Sequence, residues 1–304
     1  MRENTILVVV DPAAGPNQPV LARAGWLATQ GAARLELFAC GYDPAIDSGR
    51  VDRVWVPEPG AREQLLAGHR RNLEELAKPL RARGLTVTVD VVWDHPLDAA
   101  VVKKAAAHDY WLVAKGTHHH NVLQRTLLTQ TDWHLIRKCP APLLLVKDRT
   151  LSAEPNVLAA VDPLNEHDKP AALDDRIFHF GADLARIVRG HLHVVHAFST
   201  PMGVELPPDV RDILAEEHRK AMSEFIDTHP VVAERSYLYE GLAHESLQLA
   251  AKEHEADFVV MGAVARTGLK RLFIGSTAER VLDRLPCDLV IIKPLDFELP
   301  EGDQ

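Results

Sequence analysis

The stretches Ile6-Leu-Val-Val-Val-Asp11-Pro12 and Val157-Leu-Ala-Ala-Val-Asp162-Pro163 decide the fold of this 304-residue chain. Each is a short apolar run without polar alternation, which is typical of a strand buried on both faces of a parallel sheet. Each ends in Asp-Pro, a pair that stops a strand and opens a turn. Because the signal occurs twice, we expect the chain to contain two copies of one domain.

A second internal match supports this duplication. Shifting residues 116–147 by 146 places them on residues 262–293 without a gap, and seven of the 32 pairs are identical. Solenoid repeats are only about 20–50 residues long, so a period of this length indicates a duplicated domain. We place domain 1 at 1–150 and domain 2 at 151–304, with the boundary inside the polar segment Asp148–Pro155.

Within each copy, apolar runs alternate with segments of helical periodicity. The predicted strands are 5–10, 35–41, 86–93, 110–114 and 143–147 in the first copy, and 157–161, 191–198, 235–239, 257–261 and 289–293 in the second. Helices are predicted between them, for example over 61–83, 96–107 and 131–138. Repeated βα units predict the α/β class, with a five-stranded parallel sheet in each domain and helices on both faces. Ligands of such sheets bind beyond the carboxyl ends of the strands, where the strand order reverses.

Composition excludes several classes of protein. Lys and Arg number 34 against 43 Asp and Glu, a net charge of −9, which argues against nucleic-acid and anionic-membrane partners. No apolar run approaches the roughly 20 residues of a membrane span, and the first residues lack a signal-peptide pattern. The three cysteines, without CxxC spacing, fit a reducing compartment, so we expect a cytoplasmic protein without membrane insertion.

The segment from Val259 to Glu279 carries the strongest signal for binding. A buried strand runs into a basic, glycine-containing loop and then into Gly275-Ser276-Thr277 at the start of a helix. Backbone N–H groups of such a loop and helix end can bind a phosphate. The same residues also fit plain helix capping, because Ser276-x-x-Glu279 is a capping box. The pattern alone leaves both interpretations open.

Here the sequence resembles a known family. Asp162, the Met261-Gly262 junction, Gly275-Ser276-Thr277 and Pro286-Cys287 are similar to the pattern of universal stress proteins, in their tandem two-domain type. The resemblance covers essentially the whole chain. It implies two Rossmann-like domains, a cytoplasmic location, a role in stress survival, and ATP binding in some members.

The ATP-binding members of that family carry Gly-x2-Gly-x9-Gly-Ser/Thr, and this chain has Gly262-x2-Ala265-x9-Gly275-Ser276. The spacing is intact, but Ala265 replaces a glycine, and a Cβ there obstructs a close phosphate approach. Pro163 is a second departure. The resemblance implies a cofactor site for ATP with Mg²⁺, the ion being held mainly by the phosphates, made of Asp162, Met261, Gly262, Ala263, Ala265, Arg266, Gly275, Ser276 and Thr277.

The first copy departs further from this pattern. It has His119 at the place of Ala265, Thr129 and Gln130 at the helix entry, and Asp132 in the first turn, where a carboxylate repels a phosphate. We therefore expect nucleotide binding by the second domain only. The consecutive His118–His120 diverge in direction, and His191 and His193 share a strand face without a third ligand, so no metal site is predicted.

No catalytic set is recognisable. GxSxG is absent, and the carboxylate pairs Asp174-Asp175 and Glu216-Glu217 are predicted to be solvated on helices. Cys40 and Cys139 lie in apolar runs, as core thiols do. ATP turnover is therefore expected to be slow at most, or absent.

Two functions remain open. The chain is either a regulatory nucleotide-binding stress protein, or a non-enzymatic interaction or carrier protein that binds an apolar ligand in the same crevice. The apolar terminal strands 143–147 and 289–293 are expected to pair, giving an intramolecular pseudo-dimer, because an uncovered apolar edge invites association. A homodimer of two chains is also compatible with the sequence.

Overall fold

A computed structural model of the chain describes residues 4–31, 33–48, 60–117, 128–164, 172–200, 207–231, 233–263 and 284–297. They fall into two compact units, and the chain passes from the first to the second between Val146 and Lys147. The limits of 1–150 and 151–304 drawn from the sequence stay a prediction.

The first unit alternates strands and helices along the chain. Its elements are β1 (Thr5–Val9), α1 (Pro19–Gly31), β2 (Arg34–Gly41), α2 (Pro44–Ser48), α3 (Ala61–Ala82), β3 (Val87–Trp93), α4 (Leu97–Ala107), β4 (Leu112–Gly116), α5 (Gln130–Lys138) and β5 (Leu143–Val146). The strands are parallel and lie in the order β3-β2-β1-β4-β5. Helix α1 packs on β1 and β4, and α3 packs on β2 and β3. The order reverses between β1 and β4.

The second unit repeats this plan. Its elements are β6 (Asn156–Ala160), α6 (Ala172–Val188), β7 (His191–Phe198), α7 (Pro208–Asp227), β8 (Arg235–Glu240), α8 (Ala243–Glu253), β9 (Phe258–Gly262) and β10 (Asp288–Ile292). The parallel strands follow the order β10-β9-β6-β7-β8, which reverses between β6 and β9. Phe178 of α6 and Phe258 of β9 are among its largest fully buried side chains.

The α/β class with a tandem parallel-sheet plan is therefore confirmed, and each predicted strand is present within about two residues of its expected bounds. The largest shift is at β4, predicted at 110–114 and found at Leu112–Gly116. The predicted strand ends at residue 114 because Lys115 interrupts the apolar run. The ladder nevertheless continues, with Gly116 opposite Val146, because the Lys115 charge has a buried partner.

The segment that follows β5 belongs to the second unit through one buried carboxylate. Asp257, fully buried ahead of β9, accepts hydrogen bonds from Arg149 Nη2 at 3.1 Å, Ser152 N at 3.1 Å and Asn156 N at 3.0 Å. Arg149 also donates to the carbonyl of Ala256 at 2.9 Å. These bonds hold the polar segment before β6 against the amino end of β9. Among the helices that the structure describes, none is long and apolar enough to cross a membrane.

Candidate functional site

The candidate site lies at the carboxyl edge of the second sheet, where the strand order reverses. β6 and β9 are neighbours, with Leu158 opposite Val259, and Asp162 follows β6 while Gly262 ends β9. Ala263 continues from β9 and donates its N–H to Ile292 O at 3.0 Å, so Met261, Gly262 and Ala263 lie at the same edge. This is the place at which open parallel sheets bind ligands.

Five of the nine predicted site residues lie outside the described residues. They are Ala265, Arg266, Gly275, Ser276 and Thr277. The capping box predicted at Ser276 and Glu279 lies there as well. Of the remaining four, Asp162 and Ala263 are buried, whereas Met261 and Gly262 are half-buried.

Gly262 is a glycine for a packing reason. A Cβ atom built on Gly262 would lie 2.7 Å from Leu173 Cδ2 and 3.1 Å from Ile177 Cδ1, and both side chains are fully buried in α6. Helix α6 therefore packs directly against the backbone at the end of β9. The corresponding glycine of the first unit, Gly116, has its nearest such neighbour at 3.7 Å, in Val20. The glycine of the nucleotide motif thus has a structural role that requires no ligand.

Asp174 corrects the sequence analysis. It was expected in a solvated carboxylate pair, but it is buried, and its Oδ1 accepts the backbone N–H of Asp162 at 3.1 Å. Its neighbour Asp175 is exposed as expected, and so are Glu216 and Glu217. Helical periodicity contained the signal, because Asp174 lies one turn before the buried Ile177 and Phe178 of α6.

Two buried histidines were also missed. His196 of β7 and His218 of α7 are both buried, and their rings are joined by a hydrogen bond of 2.9 Å between Nε2 and Nδ1. His196 Nδ1 lies 3.1 Å from Val161 O, one residue before Asp162. His218 shares the buried side of α7 with Met222, four residues later, so periodicity could have placed it inside.

The first unit has a buried carboxylate in the first turn of α5. Asp132 lies at the third position of α5, and its Oδ2 accepts from Thr129 N at 2.7 Å and Thr129 Oγ1 at 2.9 Å. Lys115 Nζ pairs with Asp132 Oδ1 at 2.7 Å, and both side chains are buried. The prediction that Asp132 lies in the first turn of a helix is confirmed. The shift of 146 places Met261 and Ala278 at these two positions of the second copy, which are both uncharged.

The remaining candidates behave as core or surface groups. His193 is buried and His191 is half-exposed, between Glu234 and Glu154. His118–His120 lie outside the described residues. Within the described part of the chain, no group of three or more His, Cys, Asp or Glu side chains is arranged to hold a metal ion.

The cysteines are core thiols where the structure describes them. Cys139 and Cys287 are buried, and Cys40 is half-buried. Burial raises the pKa of Cys287 to about 12 and that of Cys40 to about 11. A thiol reacts as its thiolate, so these pKa values make both groups poor nucleophiles at neutral pH.

Comparison with known proteins agrees with this geometry. The sequence matches the Universal stress protein family over residues 3–147 and 155–293. It is 31% identical to universal stress protein E of Salmonella typhi over 305 residues, covering 97% of this chain and 96% of the relative. The protein of the same name from Escherichia coli K12 is also 31% identical, with 97% and 95% covered.

Solved structures repeat the fold at full length. A protein of unknown function from Pseudomonas aeruginosa PAO1 superposes with a TM-score of 0.74 and 28% identity, covering 97% of this chain and 94% of that one. A universal stress protein from Archaeoglobus fulgidus gives a TM-score of 0.70 at 17% identity, covering 96% and 99%, and shows the fold alone. The chain belongs to the universal stress protein family as a tandem two-domain member, and its functional class is the stress response.

Proposed function

We propose that this chain is a regulatory nucleotide-binding protein of the cytoplasm whose second domain binds ATP with Mg²⁺. The observation that carries the proposal is the position of Asp162 and Gly262, at adjacent strand ends where the strand order reverses. By the family pattern, Asp162 contacts the ribose or the adenine, and the loop from Gly262 surrounds the phosphates. Gly275, Ser276 and Thr277 donate backbone N–H and hydroxyl groups to those phosphates.

The contrast between the two copies supports binding by the second domain alone. In the first unit, the Asp132 carboxylate already occupies the N-terminus of α5, and Lys115 neutralises it. An anion at that helix end would therefore have to displace a carboxylate that already accepts the N–H of Thr129 and pairs with Lys115. The second copy has Ala278 and Met261 at these positions, so its sequence has no counterpart of the pair between Asp132 and Lys115. The sequence contains no recognisable catalytic set, and we expect regulation by binding rather than rapid turnover.

Calorimetric titration of Mg·ATP into the full-length protein tests the proposal. The wild type should bind one ATP per chain, and Gly275→Asp should abolish binding, because it adds bulk and negative charge at the phosphate position. Gly68→Asp is the matched control, since Gly68 lies in α3 with open space around its Cβ position. The absence of heat from the wild type, or a stoichiometry of two per chain, would contradict the proposal.

A carrier for an apolar ligand is the second candidate. Two observations favour it: Gly262 is explained by the packing of α6, and Ala265 replaces a glycine of the ATP pattern. Native mass spectrometry of protein purified without added nucleotide separates the candidates. A bound mass of a nucleotide supports the first proposal, and a bound mass of an apolar molecule supports the second.

A further inference from the structure

The peptide bond between Val161 and Asp162 is held at both of its polar atoms by buried side chains. Its carbonyl oxygen lies 3.1 Å from His196 Nδ1, and its N–H donates to Asp174 Oδ1 at 3.1 Å. The exposed fraction is 1% for His196 and 2% for Asp174. The two side chains come from β7 and α6, so separate elements fix the orientation of one peptide at the crevice end of β6.

The His218 imidazole fixes the tautomer of His196. A carbonyl oxygen only accepts, so His196 carries a proton on Nδ1 and donates it to Val161 O. In the neutral pair, His196 Nε2 is then an acceptor, and His218 Nδ1 donates to it at 2.9 Å. The His218 ring stacks on Phe198 at 4.5 Å between centroids, with 20° between the planes. This packing holds the donor in place.

The first unit uses a different device at the equivalent peptide. The N–H of Asp11 donates to Gln18 Oε1 at 3.1 Å, whereas Gln18 Nε2 donates to the carbonyl of the following peptide, Asp11 O, at 2.9 Å. The strands β2 and β7 have the same length of eight residues, and Ala39 stands where β7 has His196. The imidazole pair is therefore specific to the unit that carries the near-complete nucleotide motif.

We propose that His196, His218 and Asp174 are positioning residues that fix the backbone of Asp162 before a nucleotide binds. The identity of the ligand as a nucleotide rests on the proposed function. The positioning of the Val161–Asp162 peptide rests on the hydrogen bonds alone. Pre-organisation of this kind strengthens binding because the ligand does not have to order the site. Loss of the hydrogen bond from His196 should weaken ATP binding by up to about tenfold.

Two substitutions at one position separate positioning from packing. His196→Leu removes the donor to Val161 O and keeps apolar contacts. His196→Asn places an amide N–H where Nδ1 stands and should restore most of the affinity, although it fills the site less well. A purely structural role predicts the reverse order, because Asn leaves a larger void and buries a polar group. His218→Phe keeps an aromatic ring beside Phe198 and removes the donor to His196, so it provides a second variant.

The experiment combines nuclear magnetic resonance of the nucleotide-free full-length protein with Mg·ATP calorimetry. We expect His196 to be protonated at Nδ1, and the Asp162 amide to exchange at least tenfold faster in His196→Leu than in the wild type and His196→Asn. ATP affinity should be lowest in His196→Leu, and it should be close to the wild-type value in His196→Asn. His69→Phe is the matched control, because His69 lies in α3 of the first unit with its ring beside Gly41 at the end of β2, and it should change neither quantity.

The resonance measurements test the positioning of Asp162, and the calorimetry tests ATP binding, so each can contradict its own proposal separately. If His196 is protonated at Nε2 alone, or if the Asp162 amide is unchanged in His196→Leu, the positioning inference is wrong whether or not ATP binds. If the Asp162 amide exchanges faster in His196→Leu but ATP affinity is unchanged, these residues do not position Asp162 for nucleotide binding, and the inference is also wrong. If the wild type binds no ATP, the proposed function fails, and the amide measurement still decides the positioning of Asp162.

Discussion

Gly262 shows that a motif glycine can be required by packing. Gly262→Ala would place a Cβ within 2.7 Å of Leu173, whose buried side chain has little room to move. Overpacking of this kind costs about 1–3 kcal/mol of unfolding free energy. Gly116→Ala is the control in the first unit, where the nearest atom is at 3.7 Å, and it should be close to neutral. Urea denaturation of both variants measures the difference, and equal effects would contradict this account.

Asp174 and His196 show what a single sequence hides at the scale of the residue. Asp174 was expected to be solvated and His196 was not singled out, and neither hydrogen-bond partner could be predicted from the sequence. Both partners are atoms of one peptide bond, and a backbone atom has no letter of its own in the sequence. The position of Asp162 and Gly262 at the crevice could be predicted, because each lies at the carboxyl end of a predicted strand. The bonds that orient Asp162 could not be placed, because they depend on side-chain geometry across three elements.

At the scale of the element, the N-terminus of α5 combines a cap with a buried ion pair. Asp132→Asn keeps the shape of the cap but leaves the Lys115 charge buried without its counter-ion. Breaking a buried pair in this way costs about 3–5 kcal/mol of unfolding free energy. The double variant Lys115→Met with Asp132→Asn removes both charges and should be more stable than Asp132→Asn alone. Additive losses in chemical denaturation would show that the two charges do not interact.

The start of β7 and the end of α8 form a cluster that predicts pH dependence. Burial lowers the pKa of His193 from its ordinary value of 6.5, opposed by Glu234 and reinforced by His191, His254 and Arg235. Burial likewise lowers the pKa of His254, whose ring stacks on Tyr237 at 3.5 Å. As the pH falls, these two histidines therefore bind protons at a higher pH in the unfolded chain than in the folded protein. Stability should begin to fall as the pH drops through about 6.5 and continue to fall until the folded-state pKa values are passed.

The double variant His193→Gln with His254→Gln isolates this effect. Its unfolding free energy should depend less steeply on pH between about 7 and 5 than that of the wild type. Measurements at pH 8, where both imidazoles are neutral, give the loss that comes from packing alone. A slope equal to that of the wild type would show that these imidazoles do not set the acid sensitivity.

At the scale of the whole molecule, the duplication was predictable because strand ends recur in the sequence, as Asp11 and Asp162 show. The parallel sheet of each unit was predictable from the alternation of strands and helices, whereas the order of its strands came from the structure. The pairing of the terminal strands stays a prediction from their apolar sequences. It carries a consequence for unfolding, because two domains joined through apolar strands should lose their structure together.

Two buried thiols report on that consequence. Cys139 precedes β5 in the first unit, Cys287 precedes β10 in the second, and both are buried. In a Cys40→Ala background, we expect both to react slowly with a thiol reagent in the native protein, and to become reactive at the same denaturant concentration. Mass spectrometry of the labelled peptides measures each site, and labelling in full denaturant is the control for complete reaction. If Cys139 reacts while Cys287 stays protected, or the reverse, the domains unfold independently and the predicted pairing of their terminal strands is wrong.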